Sequence, residues 1–281
     1  MTFNLSQLNR WVESEEYEVS SEATIAYARA TNDMNPRHLS GELAPPLFSV
    51  RLPVSRTMKR ANDLITSIFC LHGEHDIWFH RPIIPGMRLR ARAAVVGAHQ
   101  RSAGVALTIH CETRTIDGVL VNEQYETTFA HRAVLDGAQA EGMEAPDHRS
   151  PTSLTEAPTF ARVAHDLTDD QTRRYCEASG DRSEYTYDDA AARARGLPGA
   201  ILHGLLTMAL CGRAIIDTVA SGDSTRLRRL AARFSGLVPM ISGQQVITSI
   251  WPIEKTNHFG FEASDHAGTG VIRHGIAEIA P

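Results

Sequence analysis

Cysteine is sparse in this chain of 281 residues: there are four, Cys70, Cys111, Cys176 and Cys211, and no two stand in a Cys-x-x-Cys pair. Such spacing offers neither a zinc framework nor a disulfide framework, so reduced thiols are expected. Lysine is nearly missing too, present only at Lys59 and Lys255, and the basic charge is almost all arginine. The planar arginine fork suits phosphate, although genome composition is the plainer cause of the bias. A formal net charge of -5 gives no reason to expect a nucleic-acid partner. No apolar run reaches the roughly 20 residues that span a bilayer. The start, Met-Thr-Phe-Asn-Leu-Ser, lacks a basic segment followed by an apolar one, so no membrane association and a cytoplasmic location are expected. There is no Gly-x-Gly-x-x-Gly after a strand and no ATP loop, and no cofactor is expected.

What is present is a phrase written twice. Tyr27-Ala-Arg-Ala-Thr-Asn-Asp33-Met-Asn35-Pro36-Arg-His38 returns as Tyr175-Cys-Glu-Ala-Ser-Gly-Asp181-Arg-Ser183-Glu184-Tyr185-Thr186-Tyr187. Downstream, Ala44-Pro-Pro-Leu-Phe48 falls where the second copy has Pro198-Gly-Ala-Ile-Leu202, and His80 to Gly86 answers Phe234 to Gly243. A duplication sets the number of folds and candidate sites at two each. Length agrees, since 281 residues exceed a usual single domain and each half can bury its own core. The segment from Asp136 to Pro151 is rich in Ala, Gly, Pro and charge, which marks a connection. The expected units are residues 1–132, a linker over 133–159, and residues 160–281.

Periodicity places the elements. Met87 to Val96 and Val105 to Ile116 alternate as strands, Asp117-Gly118 is a hairpin turn, and Leu120 to Phe129 returns. Gln245 to Ile253, Asn257 to Ala263 and Gly270 to Ile279 predict three more strands. Leu202, Leu205, Leu206, Ala209, Leu210, Ala214, Ile215 and Val219 recur at helical spacing on a broad face that must be covered. An α+β fold follows, in which each half is a long helix wrapped by a bent antiparallel sheet; two such units side by side protect each other's edges.

The phrases Ala-Ser-Gly-Asp181, Gly196-Leu-Pro-Gly-Ala-Ile-Leu-His203-Gly204-Leu-Leu-Thr-Met208 and His72-Gly-Glu-His-Asp-Ile-Trp-Phe-His80-Arg-Pro resemble the MaoC-like double-hotdog dehydratases and hydratases, the group containing the (R)-specific, type 2 enoyl-CoA hydratases. The resemblance covers nearly the whole chain apart from the linker. It implies a tandem (double) hotdog and a hydratase or dehydratase of fatty acid metabolism, acting on an acyl-CoA or acyl-carrier thioester, with a homodimer of such chains as a candidate assembly. The family's hydration motif resembles Gly-Asp-x-Asn-Pro-x-His-x-Asp. Its Asp and His activate a water, and a Gly amide at the start of the hotdog helix takes the thioester oxygen. A helix N-terminus favours such an oxyanion, which makes Gly204 the donor expected in the second half, with His203 setting the turn.

The two copies depart from that motif in different ways. Thr186 stands where the family has its catalytic His, and Thr cannot act as an acid or base near neutral pH. The first copy keeps Asp33, Asn35, Pro36 and His38 in the family's spacing but offers Pro45-Pro46 at its helix start, and proline has no amide hydrogen to donate; donation there falls to Leu47 or a neighbour. Candidate catalytic residues are therefore Asp33, His38 and Asp181. Candidate substrate contacts are His203, Gly204, Thr186 and Tyr187. Three readings stay open: chemistry at Asp33 and His38, chemistry at Asp181 alone with help from Tyr185 or Tyr187, or an acyl-thioester binder without catalysis. As plainer roles, Asp33 and Asp181 would close loops, and His38 would be merely exposed on its polar loop. His72, His75 and His80 could suggest a metal, but the stretch from Ile77 reads as a buried strand entering a turn, so packing and hydrogen bonding are expected and metal is not. Arg228, Arg229 and Arg233 form a basic run before Phe234, either a solvated loop or a landing for a phosphate.

Overall fold

In the computed structural model the described residues are 3–51, 53–135, 140–150, 157–253 and 257–281. Two short strands, β1 (Val12–Glu13) and β2 (Tyr17–Glu18), lead into helices α1 (Ser21–Ala30) and α2 (Pro36–Leu39). A short 3-10 helix, Pro46–Val50, is followed by α3 (Val54–Ile65), then β3 (Leu71–Phe79), β4 (Arg88–Arg101), β5 (Gly104–Thr115) and β6 (Leu120–His131). After β7 (Ala140–Gly142) and β8 (Ala161–Asp166) come α4 (Gln171–Ser179), α5 (Asp189–Ala194) and α6 (Gly204–Val219). The chain ends with β9 (Leu227–Phe234), β10 (Gln245–Pro252), β11 (His258–Asp265) and β12 (Gly270–Ile279).

The strands form one sheet of twelve among the described residues, ordered β1-β4-β5-β6-β3-β9-β12-β11-β10-β8, with β2 and β7 also on β4. The halves join where β3 runs antiparallel to β9, with Asp76 opposite Ala231 and Ile77 opposite Leu230. Each half thus lends the other an inner edge, and no backbone ladder is left open at the junction. The join is reinforced by Arg229, which donates to Asp76 at 2.8 Å and Glu278 at 3.3 Å and lies 4.4 Å from the centroid of the Trp78 ring. The basic run expected before a strand is itself a strand, and Arg229 is buried in this ion pair rather than free for phosphate. Part of the stretch expected as linker adds β7 to the first half, with Gly97 opposite Gly142. Residues 136–139 and 151–156 of that stretch lie outside the described residues.

Helix α6 is the central apolar rod. Leu206, Leu210, Ala214 and Ile215 are fully buried, and one core joins them to Leu47, Phe48, Tyr27, Tyr175 and Leu230 from both halves. A second core packs Val54, Met58, Ala61 and Ile65 of α3 on β4 and β5. The first half's helical segment is therefore a 3-10 helix and a separate α3, since Pro53 precedes the first residue of α3 and breaks the run. The repeated helices α1 and α4 lie together. Their tyrosine hydroxyls, Tyr27 and Tyr175, are 3.5 Å apart, and Gln171 donates to Ala30 O at 2.6 Å. No helix of the described residues is long and apolar enough to cross a membrane.

Candidate active site

Both repeated loops are built alike. The helix ends in a left-handed residue, Asn32 with φ 53° in the first copy and Gly180 with φ 80° in the second. Glycine and asparagine are the residues that adopt this conformation most readily, which explains why these types stand there. The hydroxyl of the preceding residue caps its own helix, Thr31 on Tyr27 O at 3.0 Å and Ser179 on Tyr175 O at 2.7 Å. The aspartate then accepts the amide two residues on: Asn35 to Asp33 at 2.9 Å, Ser183 to Asp181 at 3.1 Å. The loop-closing role expected as the plainer reading is real for both aspartates, and it uses one carboxylate oxygen in each.

The other oxygen separates them. Asp33 Oδ2 lies 2.6 Å from His38 Nδ1, and both side chains are buried, at 9% and 2% exposure. The pair holds because Asn35 caps α2, accepting from Arg37 N at 3.0 Å, with Pro36 at the first turn; this helical turn swings residue 38 back over residue 33. His38 is therefore not an exposed loop residue. Its other ring nitrogen, Nε2, lies 2.8 Å from Ser224 Oγ, and Asn35 donates to Gly222 O at 2.7 Å. Arg213 of α6 donates to Asn32 O. The first copy's site is thus completed by the second half. The turn-forming string Ser221-Gly222-Asp223-Ser224 was the only sequence signal for Ser224, and it does not reveal the partner.

Among the described residues the second copy has no aspartate–histidine contact as short as this one. Thr186 is buried and its hydroxyl donates to Ser183 O at 2.6 Å, closing the turn instead of facing Asp181. The Asp181 side chain is 42% exposed, with Oδ2 3.9 Å from His203 Nε2. His203 is buried against Tyr175, ring centroids 4.9 Å apart, with Nε2 3.6 Å from Cys176 Sγ, and burial pushes its pKa down. Gly204 begins α6 as expected, but the Phe234 ring covers it closely: a β-carbon there would come within 3.2 Å of that ring. Tyr187 is not brought to this group; it packs under Arg173, 5.6 Å from guanidinium carbon to ring centroid. Tyr185 lies under Arg195 in the same way.

Two clefts flank Pro45 and Pro46, and each is lined by residues of both halves. One is lined by Arg81, Asn122, Ser224 and Arg228 among others. The other is lined by Tyr27, Asp33, Leu47 and Arg213 among others. The buried dyad therefore meets the first cleft through Ser224 and the second through Asp33. Neither cleft is lined by Asp181, His203 or Gly204.

Comparison with known proteins agrees with this doubled construction. The family model described as FAS1-like, dehydratase domain region matches residues 6–124, and the MaoC like domain matches 138–273. The chain is 29% identical over 191 residues to 3-hydroxyacyl-thioester dehydratase Y of Mycobacterium tuberculosis, covering 66% of this chain and 62% of that protein. It is 28% identical over 196 residues to the peroxisomal enoyl-CoA hydratase 2 of Arabidopsis thaliana, covering 64% of this chain and 59% of that protein. The chain thus spans about six tenths of the length of these curated relatives. The crystal structure of a MaoC-like dehydratase from Phytophthora capsici has the same fold, with a TM-score of 0.86 at 21% identity over 99% of this chain and 98% of that one. The chain is thus similar to FAS1-like dehydratase regions over its first half and to MaoC like domains over its second.

Proposed function

We propose that this chain is a hydro-lyase that adds water reversibly across the α,β double bond of an enoyl thioester, working in its first hotdog with Asp33 and His38 as the acid-base pair. The observation that carries the reading is the buried 2.6 Å contact between Asp33 Oδ2 and His38 Nδ1, set against a second copy in which Thr186 cannot transfer a proton. A thioester carried on CoA or on an acyl carrier fits the same chemistry, and the family relatives named above act on thioesters by their names.

In the hydration direction the dyad removes a proton from water and the hydroxide oxygen bonds to the β-carbon. The π electrons move onto the thioester oxygen as an enolate, which collapses as the α-carbon takes a proton back from the dyad. Asp33 keeps the imidazole oriented and stabilises it while it carries the extra proton, as a buried carboxylate does for a histidine base. The enolate oxygen needs a donor. Pro45 and Pro46 have no amide hydrogen, so the first available amide belongs to Leu47, which shares a cleft with Asp33. Gly204, the expected donor of the second half, packs against Phe234, and the Asp181 and His203 side chains near it are 3.9 Å apart where Asp33 and His38 are 2.6 Å apart, with Asp181 42% exposed.

The test is loss of enoyl-thioester ultraviolet absorbance with crotonyl-CoA and longer enoyl-CoAs. Asp33→Asn and His38→Gln are expected to lower turnover by about 100- to 10,000-fold, the range for a positioned acid-base group, while Asp181→Ala leaves it within a few-fold. Turnover that survives both first-copy substitutions but vanishes in Asp181→Ala would move the site to the second half. A wild-type chain that binds acyl thioesters and turns none over would make it a binding protein.

A further inference from the structure

We propose that His72, His75 and Glu126 form a binding site for one divalent transition-metal ion of the zinc class, sharing no residue with the Asp33–His38 site. One donor atom from each of the three residues can be chosen so that all lie within 4.8 Å of one another, and His72 Nε2 is 3.0 Å from His75 Nδ1. Two imidazole nitrogens around a tetrahedral zinc ion sit about 3.3 Å apart, given zinc–nitrogen bonds of roughly 2.05 Å, so the pair needs to open by only a few tenths of an ångström.

The convergence depends on a backbone irregularity. Residues three apart on a regular strand point to opposite faces. Between His72 and Glu74 the pairing of β3 with β6 slips, leaving Gly73 extra, and such a bulge resets the alternation. Both imidazoles then face the side that carries Glu126, the cross-strand partner of His75. Gly73 suits this spot, because a β-carbon would come within 3.2 Å of Thr127 O.

The far side of His75 is fixed as a metal-ligating histidine requires. Gln124 is fully buried and its amide nitrogen donates to Ser49 O at 3.1 Å and Asn122 Oδ1 at 2.9 Å, so its oxygen must be the atom facing His75 Nε2 at 3.1 Å. His75 Nε2 therefore carries the hydrogen, and Nδ1 presents a lone pair toward His72. A ligating histidine donates its other ring N–H to just such an acceptor, which locks the tautomer and the ring plane. Phe234 packs edge-on against His72, centroids 4.8 Å apart. His75 is wholly buried, whereas the His72 and Glu126 side chains are 25% and 17% exposed. The trio thus has a route for an ion to enter, and two imidazoles with one carboxylate leave a coordination position open, as in three-ligand zinc sites.

The competing account is a plain hydrogen bond from His72 Nε2 to His75 Nδ1. The full chain, stripped with a chelator and then titrated with zinc chloride by calorimetry and with cobalt(II) by visible absorption, separates the two. The metal site requires one equivalent bound, visible ligand-field bands for cobalt, and a melting temperature that rises with zinc. His75→Gln and Glu126→Gln should each weaken binding at least tenfold, and Gln124→Met by about 10- to 100-fold through the lost orienting bond. Binding of less than one equivalent by the wild type, or unchanged binding in folded His75→Gln and Glu126→Gln, overturns the proposal. Should those variants not fold, zinc-induced shifts of the His72 and His75 ring nitrogens in the wild-type chain decide by NMR, and their absence counts against the site. Because metal is read directly, the outcome does not depend on whether enoyl thioesters turn over.

Discussion

The loops around Asp33 and Asp181 share a backbone and differ in what the backbone delivers. Each has the left-handed residue, the helix-capping hydroxyl and the aspartate that closes on the amide two residues later. Five residues after the aspartate, one places His38 against the free carboxylate oxygen and the other turns Thr186 away onto Ser183 O. The difference teaches that the aspartate is first a structural device. In the first loop one further side chain, His38, pairs with the aspartate and is itself held by Ser224 of the other half, whereas the side chain that meets the Thr186 hydroxyl is Cys176 of its own half, 3.8 Å away.

The comparison presumes that the halves stand or fall together, and Arg229 tests that with the largest expected effect. Removing one member of a buried ion pair leaves an uncompensated charge, so Arg229→Ala should cost about 3–5 kcal/mol in denaturant unfolding. Replacing both partners, Arg229→Met with Asp76→Leu, should recover most of it. A loss below about 1 kcal/mol for the single change would mean that the junction does not couple the halves.

A pH effect follows in size. Burial, followed by the nearby Arg213 charge, pushes the His165 pKa down from 6.5 to about 4, so the folded chain holds this ring neutral. As pH falls below 6.5 the unfolded chain takes the proton first and stability drops, until the folded ring also titrates near pH 4. The contribution over that window is up to roughly 3 kcal/mol. Thermal melts of His165→Gln should show a flatter dependence over the same window, and an unchanged slope would rule His165 out as its source.

Ser224→Ala sharpens the contrast between the loops directly. It leaves Asp33 and His38 paired but removes the hydroxyl at Nε2, with an expected fall in turnover of about tenfold, equivalent to about 1.4 kcal/mol, and a displaced pH profile. An unaltered rate and profile would show that His38 does its work without the second half's help. The smallest effect concerns the shared backbone: Gly180→Ala should cost about 1 kcal/mol because alanine is strained at positive φ, while Gly180→Asn, which installs the first copy's residue, should cost less. Equal costs would contradict the equivalence of the two turns.

Much of this was legible beforehand. The duplication, the strands from Arg88 to His131 and from Gln245 to Ile279, and the spacing of Asp33, Asn35, Pro36 and His38 are local patterns, and local patterns survive in sequence. What was not legible depends on chain segments far apart or on a slip of register. Ser224 reaches His38 across 186 positions. His72 and His75 look like alternating strand residues until the bulge at Gly73 turns them together. Arg229 reads as solvated until Asp76 is placed beside it on the neighbouring strand. Tyr187 looked close to the Asp181 site by position, yet the turn at Thr186 carries it off to Arg173.

The contact of Tyr27 with Tyr175 marks the axis relating the two copies. In an assembly of two identical chains that axis would be true, and every substitution would strike both loops at once. Here it relates two unequal sequences within one polypeptide, so the mirror-image burden is lifted: a change such as His to Thr can be borne by one loop while its twin is left intact. One polypeptide that carries both copies can thus be altered at one loop without altering the other, as His38 and Thr186 show.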